Sequence, residues 1–279
     1  MRIALCNEVL EPMPFAAQCE YAAALGYDGL ELAPFTLSDE PHRMPDWHRA
    51  ELRRAAADAG LAITSLHWLL VTPKGLSITS PDDAVRARTV AVMQGLVGLA
   101  ADLGATVLVH GSPAQRQIAP GESRETALAR AAECFARAAE AASAGGVTYC
   151  IEPLGRGETP VINTVAEAVE IVDAIGSPAL RTMIDASAAG QTEDESVAAL
   201  VDRWLPTGRI AHIQVNDRNR RGPGEGDDRF APVFAALARN GYRDVVAVEP
   251  FKYLPDGRAC AARAIGYVRG ILEAQGPGG

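Results

Sequence analysis

A short apolar run followed by a longer stretch of helical periodicity recurs eight times along this chain. The short runs are Ile3–Cys6, Gly29–Leu32, Leu61–Leu66, Thr106–Val109, Val147–Ile151, Leu180–Ile184, Ile210–Val215 and Val245–Val248. Each is aliphatic or β-branched and too brief for a helix, so each reads as a buried strand. The longer stretches are Phe15–Leu25, Trp47–Ala59, Pro81–Leu103, Glu122–Ala144, Val165–Ile175, Glu193–Trp204, Phe230–Arg239 and Gly257–Glu273. Gly26, Gly60, Gly104 and Gly176 stand where four of these helices should stop.

Strands separated by helices pair in parallel, because the chain must cross over between them. A parallel sheet is covered on both faces, which matches continuous apolar runs. Eight β–α units is the number at which such a sheet closes on itself, so the expected fold is α/β, a (β/α)8 TIM barrel. An open doubly wound sheet is the alternative. Against it, the loop after the first strand has no G-x-G-x-x-G. No linker interrupts the pattern, so residues 1–275 read as a single domain and 276–279 (GPGG) as a flexible tail.

Composition narrows the function. A net charge of −9 argues against a nucleic-acid partner, which would have to be held through its phosphates. No segment reaches the roughly 18 apolar residues of a membrane span, and the apolar start Ile3–Cys6 is too short for a signal peptide. The five cysteines form no C-x-x-C pair and read as packed thiols in a reducing, cytoplasmic setting. Lys74 and Lys252 are the only lysines, which leaves little material for Schiff-base chemistry.

In such a barrel the C-terminal strand ends converge on one mouth. The stretch Val147–Thr164 (VTYCIEPLGRGETPVINT) delivers Glu152 there, and Pro153 stops strand pairing just behind it. The next three strands deliver Asp185, Gln214 and Glu249. Three carboxylates a few ångströms apart repel strongly unless a cation sits among them. An all-oxygen set with the Gln214 carbonyl suits one hard divalent ion, Mn²⁺ or Mg²⁺, better than Zn²⁺. The alternative is that these residues are strand-end caps paired to arginines.

Three segments carry a family resemblance. E-P-L-G-R-G-E-T-P-V-I-N-T from Glu152, Q-V-N-D-R-N-R-R-G-P-G-E-G from Gln214 and V-E-P-F from Val248 resemble motifs of sugar isomerases and epimerases with the xylose-isomerase-like barrel. Ketose 3-epimerases of the D-tagatose and D-psicose type and hydroxypyruvate isomerases are the relatives these motifs suggest. The resemblance implies that Glu152, Asp185, Gln214 and Glu249 ligate a metal, with glutamine at position 214 as in hydroxypyruvate isomerases. It implies that Glu158 and Arg220 contact the substrate's hydroxyls or carbonyl end, and it leaves homo-oligomer assembly open. Two positions depart from the pattern. Asp185-Ala186-Ser187-Ala188 lacks the histidine of the usual D-x-x-H, and Gly155 replaces a usual asparagine.

The chemistry so implied is proton abstraction next to a carbonyl through a stabilised enediolate, with Glu152 and Glu249 as acid and base on opposite faces. The expected substrate is a small sugar or polyol. A lyase or dehydratase on the same barrel is the main alternative. An endonuclease of the endonuclease IV type, with its histidine-rich zinc site, fits poorly with Ala188 and Gln214, and a non-enzymatic binding barrel is a further alternative. His67 and His110 end the third and fourth strands and are expected to line the mouth as substrate-binding residues. His212 shares the inward face of Gln214 and should lie a layer deeper. Trp68 and Phe251 are candidate apolar walls, and Arg220 has Asp217 or Glu225 as alternative partners.

Overall fold

A computed structural model describes residues 1–276. Among these, eight parallel strands close in chain order: β1 (Arg2–Cys6), β2 (Gly29–Leu32), β3 (Ala62–Leu66), β4 (Val107–His110), β5 (Thr148–Ile151), β6 (Leu180–Asp185), β7 (Ile210–Val215) and β8 (Val245–Val248). The barrel closes where β1 pairs with β8, with Ile3 opposite Val246 and Leu5 opposite Val248. Of the proposed tail, Gly276 follows the last helix and residues 277–279 lie outside the described residues. No helix is long and apolar enough to cross a membrane among the described residues. All five cysteines are free and buried.

The helices are α1 (Phe15–Leu25), α2 (Asp46–Asp58), α3 (Asp83–Leu103), α4 (Arg124–Gly145), α5 (Val165–Ile175), α6 (Ala186–Thr192), α7 (Val197–Trp204), α8 (Ala231–Arg239) and α9 (Gly257–Gln275). Side-chain caps start several of them. Ser123, Thr164 and Asp256 each accept a backbone N–H three residues on, a contact whose removal costs about 1 kcal/mol. Gly104 ends α3 at φ 78°, a left-handed conformation that glycine adopts without strain.

α4 buries an alanine stripe (Ala127, Ala131, Ala138, Ala142) together with Phe135. Burying one such aromatic contributes roughly 1.5–3 kcal/mol. Val109, Cys150 and Met183 make a separate apolar cluster, with Val107 and Ala211 packed against it.

One element differs from the sequence reading. Where a loop was expected after β6, α6 begins at once, and Asp185 is both the last strand residue and the helix cap, its Oδ1 accepting from Ala188 N at 2.6 Å. The segment Ala186–Thr192 is rich in alanine and glycine and shows no apolar periodicity to betray a helix.

Two register shifts also matter. The β2–β3 pairing slips between Leu30 and Glu31, and the β6–β7 pairing between Thr182 and Met183. A slip of this kind re-aims the side chain that follows it.

Candidate metal-binding active site

The loops beyond the strand ends enclose a narrow cleft with a cavity volume of about 80 Å³. Glu152, Asp185 and Glu249 lie in its floor, and Trp68, Glu158, Ala188, Gln191, Arg220 and Phe251 are among its walls. Carboxylate oxygens of Glu152, Asp185 and Glu249 lie within 4.8 Å of one another. Each of the three residues is at least 96% buried. Gln214 is the register partner of Asp185 on the neighbouring strand. Its Nε2 donates to Glu31 Oε1 at 2.6 Å, and its Oε1 is buried with no hydrogen-bond partner. Asp185 Oδ2 and Glu249 Oε2 are likewise buried and unpartnered.

Burial and mutual repulsion oppose ionisation here when no cation is present. Burial, with Glu249 and Asp185 nearby, pushes Glu152 well above the usual carboxylate range, and Arg116 opposes this only partly. Burial raises Asp185 to about 7 against the hydrogen bonds from Ala188 and Asn216. Burial raises Glu249 to about 8, with His67 pulling the other way.

Arg116 is fully buried on the turn after β4, where its guanidinium donates to the Glu152 carbonyl at 2.8 Å and the His110 carbonyl at 3.0 Å. It ties the ends of β4 and β5 together under the cleft. Asn216 does a similar service between β7 and β8, accepting from Ser187 N and donating to the Glu249 carbonyl at 2.9 Å.

The structure does not bring the two strand-end histidines to the cleft lining as the sequence suggested. His67 is buried with Nδ1 2.8 Å from Glu249 Oε1 and Nε2 3.0 Å from Glu8 Oε2, so both ring nitrogens are taken by carboxylates. Burial alone would lower its pKa, but Glu8 and Glu249 outweigh it and hold the ring well above the ordinary histidine value. His110 is the last residue of β4 and buried, with Nδ1 2.8 Å from the Tyr149 hydroxyl and Phe135 edge-on at 5.0 Å. Burial, then Arg116, push it well below the ordinary value. Both are held by partners inside the barrel and its helix layer.

Glu158 and Arg220 do face the cleft, with Arg220 Nη1 3.5 Å from Glu158 Oε1. The Arg220 guanidinium also lies over the Phe251 ring at 4.6 Å, while its neighbour Arg221 is the one that pairs with Glu225. Trp68 meets Phe251 edge-on at 6.0 Å, so the expected aromatic wall is present. His212 lies a layer deeper, its Nε2 2.7 Å from Glu31 Oε2.

Sequence reasoning missed Glu8, Glu31 and Arg116. The signal for Glu31 was available: a carboxylate inside the apolar strand Gly29–Leu32 must find donors or be expelled. Glu31 is held well below the carboxylate range, because its contacts with His212, His67 and Ser65 outweigh the burial that would raise it.

A closed parallel barrel with a carboxylate cluster at the C-terminal strand ends defines a class: enzymes that build a site from βα loops on a rigid core. The chain belongs to the xylose isomerase-like TIM barrel family, whose model matches residues 19–270. It is similar to the L-ribulose 3-epimerase of Mesorhizobium japonicum, 30% identical over 72% of this chain and 65% of that protein. It is similar also to the D-psicose 3-epimerase of Agrobacterium fabrum, 28% identical over 85% of this chain and 79% of that one. A crystal structure of a D-psicose 3-epimerase in the presence of D-fructose shares the fold, with a TM-score of 0.82, 23% identity and coverage of 98% of this chain and 99% of that chain. Both of these relatives are 3-epimerases, and the buried acidic and histidine cluster of this chain is consistent with a metal site.

Proposed function

We propose that this chain is a divalent-metal-dependent isomerase or epimerase acting on a ketose or keto-polyol. The observation that carries the reading is the meeting of Glu152, Asp185 and Glu249 within 4.8 Å in the floor of the cleft. Three buried carboxylates so close disfavour one another's ionised forms unless a cation lies among them. Asp185 Oδ2, Glu249 Oε2 and Gln214 Oε1 are buried acceptors without a donor, as atoms that would hold a cation should be. The donor set is all oxygen and fits a hard ion such as Mn²⁺ or Mg²⁺. Glu152, Asp185, Gln214 and Glu249 would hold it. A bound ion would supply positive charge that stabilises negative charge developing on the substrate's oxygens and so acidifies the C–H bond next to the carbonyl.

The chain's own residues do the rest. One of Glu152 and Glu249 takes the proton from the carbon next to the carbonyl, and the other returns a proton to the opposite face, inverting that carbon. Return to the neighbouring carbon instead exchanges aldose and ketose. Arg220 and Glu158 offer a donor and an acceptor to substrate hydroxyls, and Trp68 and Phe251 form an apolar wall that excludes water.

A second reading rests on Ala188, which lines the cleft with a methyl group where a hydroxyl-gripping side chain is usual in the family it resembles. The same proton abstraction followed by loss of a β-hydroxyl would make the protein a dehydratase or other lyase on an oxidised sugar. Incubation with Mn²⁺ and a panel of ketoses and inososes in D₂O tests both readings by NMR. Deuterium at a single carbon of a returned ketose supports the epimerase, and a dehydrated product supports the lyase. No exchange with any member of the panel would sink both.

A further inference from the structure

Gln214 presents a problem that its neighbours solve. Only the oxygen of its amide can ligate a cation, and the nitrogen end would repel one. The two ends have nearly the same shape, so packing alone cannot choose between them. The choice must come from a hydrogen-bonding partner. Glu31 is that partner, with its Oε1 2.6 Å from Gln214 Nε2.

We propose that Glu31 is a positioning residue that sets the polarity of the Gln214 amide and so turns its carbonyl oxygen toward the ion. The proposal rests on the reading above that Gln214 belongs to the ion site. Glu31 is wholly buried and does not line the cleft, so it does not touch substrate. Donors hold it from other sides: Ser65 Oγ bonds its Oε2 and Cys6 Sγ approaches Oε1 at 3.4 Å, and the His212 ring lies against Oε2 with Nε2 at 2.7 Å. Ringed in this way, the carboxylate offers Gln214 acceptors only. The amide must present its nitrogen inward, which leaves Oε1 unpartnered beside Asp185.

The backbone is arranged for this contact. The register of β2 against β3 slips between Leu30 and Glu31, bringing Glu31 opposite Ser65, across the barrel interior from β7. Partners of a ligand's far side orient the ligand, and their loss typically weakens metal binding by about 10–100-fold.

The test compares wild type, Glu31→Gln and the exchanged pair Glu31→Gln with Gln214→Glu, using Mn²⁺ titrations followed by the EPR signal of free Mn²⁺. Glutamine at position 31 can donate as well as accept, so the Gln214 amide loses its preferred orientation. The expected result is Mn²⁺ affinity lower by about 10–100-fold at an unchanged melting temperature. The exchanged pair keeps one amide and one carboxylate in contact, with a carboxylate oxygen free for the ion, and should return affinity to within about threefold of wild type. Wild-type affinity in the single variant overturns the proposal, and so does a folded exchanged pair as weak as the single variant. Should the single variant fail to fold, the exchanged pair decides alone by the same threefold criterion. A wild-type protein that binds no Mn²⁺ at all would instead overturn the metal-site reading beneath the proposal, a result distinct from either of these.

Discussion

Gly111 and Glu152 compete for the same space: a β-carbon added at Gly111 would lie 1.5 Å from Glu152 Oε2 and 2.6 Å from its Cδ. The glycine following β4 is thus the floor on which the Glu152 carboxylate rests. No side chain can be placed there without moving that carboxylate out of the cluster.

Gly111→Ala should therefore act on the site rather than on the fold. The displaced atoms are the far end of a flexible side chain, which can swing aside at little cost to the core. We expect turnover and Mn²⁺ affinity to fall about 10–100-fold, as for a ligand that loses its orientation, with a far-ultraviolet CD spectrum like that of wild type. Retention of tight Mn²⁺ binding would show that Glu152 is not held where the geometry puts it.

The raised carboxylates predict how the metal-free protein responds to pH. Asp185 is raised from 3.8 to about 7 and Glu249 from 4.5 to about 8, so the folded protein holds protons that the unfolded chain releases. The unfolded state binds fewer protons in this window, and stability falls as pH rises. Calorimetry of chelator-treated protein should show the melting temperature dropping between about pH 5 and about pH 8.5, with Mn²⁺ removing most of the drop. Metal binding near pH 7 should release protons, measurable in weakly buffered solution. A metal-free melting temperature that climbs over the same range would contradict the cluster's electrostatics.

His67 holds Glu249 from one side and Glu8 from the other. Asparagine places a donor near the position of Nδ1, whereas glutamine places one near Nε2. His67→Asn should keep the contact to Glu249 and His67→Gln only the contact to Glu8. We expect the asparagine variant to be more active than the glutamine variant by about tenfold, the weight of one charge-assisted hydrogen bond. Equal activities would mean that the Glu249 contact has no part in orienting the carboxylate.

Arg220 lines the cleft, pairs with Glu158 and lies over the Phe251 ring. Arg220→Ala should raise KM by about tenfold or more through the loss of one charged hydrogen bond to substrate, while Mn²⁺ affinity stays as in wild type. A loss confined to kcat, or to metal binding, would move Arg220 from substrate recognition to the ion site.

Much of the architecture can be read from local pattern. The strands β7 and β8 and the helices α1 and α5 fall where the apolar runs and capping residues put them, because strand and helix periods are properties of neighbouring residues. Glu152 and Glu249 were visible as carboxylates carried by an apolar run and backed by proline. Asp185 was visible as a charge closing a strand, although its second role as the cap of α6 was not, since small residues leave no helical signature.

What the sequence determined, then, was the eight-unit repeat and the set of residues that a closed barrel would gather at one end. Tertiary structure alone decided which way the gathered side chains face. Gln214 and Glu31 are 183 residues apart in sequence, and His67 and Glu249 are 182 apart. Nothing local to any of these residues specifies its partner. His67 meets Glu8 and Glu249, and His110 meets Tyr149, because these groups offer buried hydrogen bonds, and a buried imidazole without such partners would be costly. Local propensity works through bonds along the chain, whereas orientation in a packed interior is settled by hydrogen bonds and charges that exist only once distant strands have met.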